Sequence, residues 1–185
     1  MAEDADLLHA YARRGDVRSL SALVKRHAAW MQALLRGLLP SAADADDAFQ
    51  DTWMKVIRSA GGYRGGSVRA YLASVARRAA IDRLRRGGRT ESLDVEDEGG
   101  RSAAEAVPDG APTPLERFES KATSEDVRRE VASLADGPRQ VLLLRIEGEL
   151  SFREIASELG VPLGTALTWM HVATVELKKR LGGAR

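Results

Sequence analysis

Residues 87–123 interrupt every helical pattern in the chain, and this interruption limits the possible folds more than any other feature of the sequence. The segment is rich in Asp, Glu, Ser and Ala and is broken at Gly87, Gly88, Gly99, Gly100, Pro108, Gly110, Pro112 and Pro114. Glycine and proline at this density prevent a continuous helix, and a stretch of this composition can bury little apolar surface. We therefore predict an N-terminal domain over 1–86, a flexible acidic linker over 87–123 and a C-terminal domain over 124–182.

The apolar residues on both sides of this linker recur at three- and four-residue steps, which is the spacing of amphipathic helices. In the N-terminal half, Gly15, Pro40 and a glycine-rich loop separate four predicted helices. In the C-terminal half, Ser151 and Glu154 form a capping-box pattern at the start of a helix, and Gly160 provides a turn before the last helix. The predicted fold class is all-α, with two small helical domains, the second of which contains a helix-turn-helix.

The formal net charge of +1 hides two opposing blocks of charge. Residues 55–89 hold ten basic side chains and one acidic side chain, whereas residues 90–126 hold three basic and eleven acidic ones. A basic block of this density provides a surface that can bind a polyanion such as nucleic acid. The acidic block beside it would repel the same ligand.

The composition also excludes several classes of function. Because the chain contains no cysteine, it has no disulfide, thiolate metal site or cysteine nucleophile. The three histidines lie in separate segments without metal-ligand spacing, so we expect them at helix surfaces or boundaries and predict no metal site. We find no Ser-His-Asp set and no phosphate-binding glycine loop, and we predict neither enzymatic activity nor a cofactor. No apolar run approaches the roughly 18 residues of a spanning helix, so we expect no membrane insertion and a cytoplasmic location.

Three sequence motifs occur in order along the two predicted domains. Residues 44–56 read DADDAFQDTWMKV, residues 71–86 read YLASVARRAAIDRLRR and residues 151–165 read SFREIASELGVPLGT. In this order and spacing, the motifs resemble region 2.2, the following basic helix and region 4 of the sigma-70 family of bacterial RNA polymerase sigma factors. The resemblance is to the compact extracytoplasmic-function class, which keeps only regions two and four.

The resemblance implies a transcription initiation factor, with distinct roles for two parts of the N-terminal domain. In the family, region 2.2 docks on the clamp helices of the largest polymerase subunit, and the corresponding candidates here are Asp47, Gln50, Asp51 and Trp53. Helix capping by the aspartates and core packing of Trp53 are the alternatives. The basic helix and the loop before it would hold the melted minus-ten strand, because phosphates need cations and exposed bases need stacking rings. The candidates for this contact are Tyr63, Arg64, Arg69, Tyr71, Arg77, Arg78, Arg85 and Arg86; a solvated basic face is the alternative.

The C-terminal domain would dock at the minus-thirty-five duplex and at the flap of the second-largest subunit. The candidate DNA contacts are Arg153, Pro162, Gly164, Thr165, Thr168, Trp169, His171 and Val172. The recognition helix departs from the family pattern, which commonly has Lys or Arg at the positions of Leu167, Trp169, Val172 and Thr174. Two interpretations stay open: the apolar groups read thymine methyls in the major groove, or this face binds a protein.

The resemblance also suggests a role for the linker and a set of partners. In the family the linker runs through the polymerase channel, so the acidic segment is either a polyanion mimic or a solvated spacer. The expected partners are core RNA polymerase, promoter DNA and an anti-sigma factor, with nucleoid association in the holoenzyme. The alternative function is a sigma-like decoy that occupies an anti-sigma factor without supporting transcription. The apolar recognition helix favours the decoy, and the basic block argues against it.

Overall fold

Helices account for the regular secondary structure of residues 3–87 and 124–182, the part of the chain that this computed structural model describes. The first unit contains α1 (Asp4–Arg14), α2 (Val17–Leu38), α3 (Ala42–Ser59), a 3-10 turn (Ala60–Gly62) and α4 (Val68–Gly87). The second unit contains α5 (Ser124–Ala132), α6 (Asp136–Ile146), α7 (Phe152–Leu159) and α8 (Leu163–Gly182). The all-α prediction is confirmed. The predicted linker lies outside the described residues except for Gly87, which is the last residue of α4.

None of the helices in these two described segments combines the length and the apolarity that are needed to cross a membrane.

Helix α2 forms the centre of the first unit because one of its faces is buried along the helix and is largely apolar. Leu23 and Leu34 are fully buried on this face, and burial of each leucine contributes about 1.5–3 kcal/mol. The carboxylate of Asp16 caps the start of the helix by accepting a hydrogen bond of 3.1 Å from the amide of Arg18. The helix ends at Leu38 because the residue before Pro40 is forced into an extended conformation.

Helix α4 packs against α2 and α3 through a face made largely of alanine. The buried residues of this face are Val68, Leu72, Ala73, Val75, Ala76, Ala79 and Ala80. Small side chains at these positions allow the neighbouring helices to approach closely. The arginines of α4 must therefore occupy the remaining faces of the helix.

A buried hydrogen-bond network joins α1 to α2. The Nε2 of His27 lies 2.8 Å from a carboxylate oxygen of Asp4, and the indole N–H of Trp30 donates to the Nδ1 of His27 at 2.9 Å. The second oxygen of Asp4 accepts a hydrogen bond of 2.8 Å from Arg26. His27 is buried because α1 covers it, so the expectation that it lies at a surface or boundary is wrong.

This network fixes the protonation state of His27. Because the Nδ1 already accepts the Trp30 hydrogen bond, the proton of the neutral ring lies on Nε2, where it donates to Asp4. Burial lowers the pKa of His27, and this effect outweighs the opposing attraction of the Asp4 carboxylate. Burial alone would raise the pKa of Asp4, but hydrogen bonds from Arg26 and His27 lower it overall.

The second unit is built around α8, which packs against α5, α6 and α7. Leu142, Ile155 and Leu177 are buried where these helices meet. Helix α6 begins at Asp136, so Gly137 and Pro138 lie within the helix. Both residues belong to its first turn, where proline breaks no intrahelical hydrogen bond.

We expect the first unit to lose stability as the pH falls below 6.5, the ordinary pKa of histidine. In this range the unfolded chain binds a proton that the folded protein excludes from His27, so the free energy of unfolding decreases by at most about 1.4 kcal/mol per pH unit. The H27Q variant should show a flatter dependence between pH 7 and the lowered pKa of the folded state. The measurement is urea unfolding followed by tryptophan fluorescence in a W169F background, so that only Trp30 and Trp53 report. An unchanged slope in H27Q would contradict the assignment.

Candidate functional site

The outward face of α4 carries a row of arginines. Arg78 and Arg85 are exposed and seven residues apart, which places them on the same side of the helix, and the half-buried Arg77 flanks them. Arg85 and Arg86 also lie in the last turn, where positive charge complements the helix dipole. These side chains form a basic surface that we call the α4 arginine row: Arg77, Arg78, Arg85 and Arg86.

Two other residues that we predicted to contact the minus-ten strand, Arg69 and Arg64, lie at the start of α4 and in the loop before it. The guanidinium of Arg69 lies over the ring of Trp30, 4.9 Å from its centroid, and is half-buried. Arg64 is exposed in the loop before α4. The loop requires glycine at Gly65 and Gly66, because both have a positive φ, of 103° and 95°.

The structure does not present Tyr63 as an available stacking ring. Tyr63 is 7 % exposed, and its hydroxyl donates a hydrogen bond of 2.6 Å to the carbonyl of Gly66. Its ring contacts those of His9 and Tyr71, with centroids 5.5 and 5.6 Å away, and burial raises the pKa of its hydroxyl. In this conformation Tyr63 therefore shapes the loop, while Tyr71 is half-buried and its hydroxyl shares a hydrogen bond of 2.8 Å with Ser59.

Ion pairs between α3 and α4 neutralise part of the basic block. Arg83 pairs with Asp44 at 3.0 Å and also with Asp47, while Lys55 pairs with Asp82 at 2.7 Å. The pKa of Asp44 is lowered by hydrogen bonds from Ser41 and Arg83, and that of Asp82 is lowered by the bond from Lys55. Arg83 and Lys55 thus join two helices, whereas Arg78, Arg85 and Arg86 of the α4 arginine row are exposed.

The exposed face of α3 brings together most of the predicted polymerase contacts. Asp47 and Gln50 are exposed, Asp51 is half-buried, and Met54 beside them is 46 % exposed. Their spacing of three and four residues places all four on one side of the helix. We call this surface the α3 outer face: Asp47, Gln50, Asp51 and Met54.

Trp53, the remaining predicted polymerase contact, is separate from this face. It is 7 % exposed and packs edge-to-face against Phe49, with ring centroids 6.3 Å apart. Its buried indole N–H has no hydrogen-bond partner among the described residues. The core-packing alternative therefore describes Trp53 in this conformation.

Helices α7 and α8 form the predicted helix-turn-helix, and the local sequence explains the turn. The Ser151 hydroxyl accepts a hydrogen bond from the Glu154 amide at 3.3 Å, and the Glu154 carboxylate accepts one from the Ser151 amide at 2.8 Å. Gly160 ends α7 with a φ of 68°, in the left-handed region that favours glycine. The chain then passes through the exposed Pro162 into α8, and Arg153 is exposed in the first turn of α7.

The outward face of α8 carries few charges. Residues 165, 168, 172 and 175 follow one another at steps of three and four and lie on one side of the helix, next to the exposed His171. Val175 is 49 % exposed, and the hydroxyl of Thr168 donates a hydrogen bond of 2.9 Å to the carbonyl of Gly164. We call this surface the α8 stripe: Thr165, Thr168, Val172 and Val175.

Two residues of the recognition helix pack wholly or partly inside the second unit: Thr174, a position where the family commonly has a basic residue, and the predicted DNA contact Trp169. Thr174 is buried and donates to the carbonyl of Met170 at 2.8 Å, so it cannot occupy a DNA-contacting position. Trp169 is half-buried against α6, where a Cβ added to Gly137 would lie only 2.8 Å from the indole ring. The absence of a side chain at Gly137 therefore creates the space in which the Trp169 ring packs.

Comparison with known proteins agrees with this geometry over both units. Residues 23–90 match the sigma-70 region 2 family, and residues 124–174 match the sigma-70 region 4 family. The RNA polymerase sigma factor YlaC of Bacillus subtilis is 32% identical over 143 residues, which cover 76% of this chain and 79% of the relative. The sigma factor CarQ of Myxococcus xanthus is 30% identical over 171 residues, covering 92% and 93% of the two chains. The chain belongs to the sigma-70 family.

Further relatives identify the class within the family. The ECF sigma factor SigE of Mycolicibacterium smegmatis is 31% identical over 160 residues, covering 86% of this chain and 60% of the relative. The protein is an alternative sigma factor of the extracytoplasmic-function class and directs transcription initiation. These findings favour a sigma factor over the decoy alternative.

Solved structures of low sequence identity share the fold. The structure of CnrH in complex with the cytosolic domain of CnrY has a TM-score of 0.68 and 22% identity, and the match covers 99% of this chain and 100% of CnrH. The sigma factor RpoE of Bartonella quintana, solved with the anti-sigma factor NepR, has a TM-score of 0.68 and 18% identity over 91% of this chain and 99% of RpoE.

Sequence reasoning missed three residues of these surfaces in the sigma factor. Met54 could have been found, because it lies seven residues after Asp47 and therefore on the same side of α3. Val175 continues the stripe of Thr168 and Val172 at the same spacing. The pairing of Arg83 with acids of α3 has no local signal, because it depends on how two helices pack.

The contact between Gly137 and Trp169 predicts opposite effects for two glycine-to-alanine variants of this sigma factor. G137A should destabilise the second unit by about 1–3 kcal/mol, since its methyl group would collide with the indole ring. G164A is the matched control: it also lies in a helix, has no atom within 4 Å of an added Cβ, and should gain up to about 1 kcal/mol. Amide hydrogen exchange of α6 and α8 measures both changes. Equal stabilisation by the two variants would show that the ring moves away at no cost.

Proposed function

We propose that this sigma factor binds core RNA polymerase through the α3 outer face, holds the melted minus-ten strand with the α4 arginine row and docks at the minus-thirty-five duplex with α7 and α8. The observation that carries the proposal is the separation of two surfaces in the first unit. One face of α4 is buried against α2 and α3, and Arg78, Arg85 and Arg86 are exposed on the rest of the helix.

The α4 arginine row suits a single strand because its positive charges follow one side of a helix. Arg78, Arg85 and Arg86 are exposed, and no acid of the described chain forms an ion pair with them within 4.0 Å. Guanidinium groups contact phosphates through charge-assisted hydrogen bonds, which are about twice as strong as neutral ones. Arg64 and Arg69 extend the positive charge towards the loop, where Tyr63 and Tyr71 support the backbone.

The α3 outer face suits a protein partner because it combines polar groups with one exposed apolar side chain. Asp47, Gln50 and Asp51 lie on the same side of α3 as Met54. Methionine is enriched at interface centres, and charged groups are found at their rims. We propose the clamp helices of the largest polymerase subunit as the partner. Arg83 then acts as a positioning residue, because its ion pairs with Asp44 and Asp47 hold α3, and with it this face, against α4.

The second unit supplies the remaining contacts. In this proposal the exposed Arg153, in the first turn of α7, and the exposed Pro162, in the turn before α8, contact the minus-thirty-five backbone. Residues of the α8 stripe face the bases. Gly164 allows α8 to approach the duplex closely, since its Cβ position is empty. The flap of the second-largest subunit is the proposed polymerase contact of this unit.

An anti-sigma factor is the proposed regulatory partner. The structures similar to this chain include CnrH with the cytosolic domain of CnrY and RpoE with the anti-sigma factor NepR. A shared fold over nearly the whole chain supports the same kind of regulation here. No thiol can sense the inducing signal in this chain, so a redox signal would have to be sensed by the partner.

The division of roles between the two units predicts unequal effects of charge removal. The R77Q/R78Q variant should weaken open-complex formation more than K178Q/K179Q, because the first pair lies on the track of the melted strand. If both arginines contact phosphates, the slope of log affinity against log salt should fall by about 1.4. The measurement is promoter melting by the holoenzyme at several salt concentrations. Equal losses in the two variants would contradict the proposal.

The α3 outer face predicts that M54A weakens binding to core RNA polymerase. Truncation of an apolar anchor at an interface costs about 1–2 kcal/mol, which corresponds to a loss of roughly 5–30-fold in affinity. The matched control is V17A, which removes an even more exposed apolar side chain (69 %) from the start of α2. Competition with a labelled sigma factor for core enzyme measures both. Equal affinities of M54A and V17A would exclude Met54 from the interface.

A further inference from the structure

The recognition helix of this sigma factor lacks the groups that usually read guanine. Between Leu163 and Leu177 its one charged side chain is Glu176, which pairs with Arg180 at 2.9 Å. Guanine is read most often by the paired donors of Arg or Lys on its O6 and N7 atoms. The helix therefore cannot make this contact from the segment that enters the groove.

The hydroxyl of Thr168 does not replace these donors. Its hydrogen is used in the 2.9 Å bond to the carbonyl of Gly164, so this group presents a methyl and acceptor lone pairs to the outside. Val172 and Val175 present methyl groups alone. Thr165 and His171 are the remaining polar side chains beside these three residues.

The apolar stripe matches one feature of the DNA major groove. From Thr165 to Val175 it extends about 15 Å along the helix, which corresponds to about four base-pair steps. The C5-methyl of thymine is the apolar group that base pairs present in this groove, and Ala, Thr methyl and Phe are side chains that contact it. A row of methyl groups therefore favours thymine on the strand that it faces.

Positive charge on α8 next to the stripe favours nucleic acid as the occupant. Lys178 and Lys179 are exposed one turn beyond Val175, and Arg153 is exposed in the first turn of the neighbouring helix α7. Cations beside an apolar stripe can contact the phosphate backbone next to a groove. An apolar protein partner would not require them.

We infer that the α8 stripe reads the minus-thirty-five element through thymine methyl groups, with Thr168, Val172 and Val175 as the specificity-determining residues. This inference rests on the proposed docking of the second unit at that element. We therefore expect one strand of the minus-thirty-five element to be rich in thymine. We also expect the second unit to select little for guanine. The phosphate contacts then come from Arg153, Lys178 and Lys179.

Replacement of thymidine by deoxyuridine tests the inference, since it removes the methyl group and leaves base pairing unchanged. The template is a promoter that is first identified by run-off transcription of genomic fragments with the holoenzyme. One duplex carries deoxyuridine in the minus-thirty-five segment, and the control carries it in the spacer between the two elements. We expect open-complex formation to fall about fourfold for each contacted methyl in the first duplex and to stay unchanged in the control.

Protein variants test which side chains make the contact. T168S keeps the hydroxyl and its bond to Gly164 but removes the methyl, and V172A shortens the stripe. Each should lower open-complex formation about fourfold on the thymidine template and have little further effect on the deoxyuridine template. A loss of equal size on both templates would indicate a merely structural effect and overturn the assignment.

The other outcomes separate this inference from the proposed function. If deoxyuridine has no effect but scrambling the minus-thirty-five segment still lowers transcription, the methyl readout is wrong and the docking of the second unit stands. If scrambling has no effect either, the stripe does not read DNA and is left as a protein-binding face. If the holoenzyme gives no specific starts on any fragment, the proposed function itself is wrong.

Discussion

The close packing of α4 through its alanines determines the direction of every arginine on that helix. Ala73, Ala76 and Ala80 have no side chain beyond the Cβ, so α2 and α3 can approach the α4 backbone. Larger side chains at these positions would push the helices apart. The rotation of α4 against α2 and α3 would then no longer be fixed, and the side of the helix that Arg78 and Arg85 share would lose its outward direction. The basic surface thus depends on residues that carry no charge.

In the proposed function, the two units use opposite means to contact nucleic acid. The first unit offers guanidinium groups on α4 and uses ion pairs with Asp44 and Asp82 to hold its helices together. The second unit offers methyl groups on α8, with Lys178 and Lys179 one turn beyond them. A single strand exposes phosphates on a flexible backbone, so charge is the effective contact there. A duplex presents a patterned groove, in which methyl groups can discriminate between bases.

Features that depend on neighbouring residues in the chain could be predicted from the sequence. The capping box at Ser151, the left-handed Gly160 and the end of α2 before Pro40 each follow from the conformation of a few adjacent residues. Features that depend on contacts between helices could not. The sequence around Tyr63 and Trp169 can predict which way each side chain faces, but not which residues pack against it. His9 contacts Tyr63 and Gly137 contacts Trp169, and both come from other helices. The same reason explains why His27 was expected near a surface.

The contact between Gly137 and Trp169 constrains how this sequence can change over evolutionary time. The two positions lie in different helices, yet the indole occupies the volume that any other residue at 137 would need. A lineage can therefore replace the glycine only after the tryptophan has become smaller, and the reverse order passes through a strained intermediate. Across related sequences, we expect these two positions to covary, with bulk at one excluding bulk at the other.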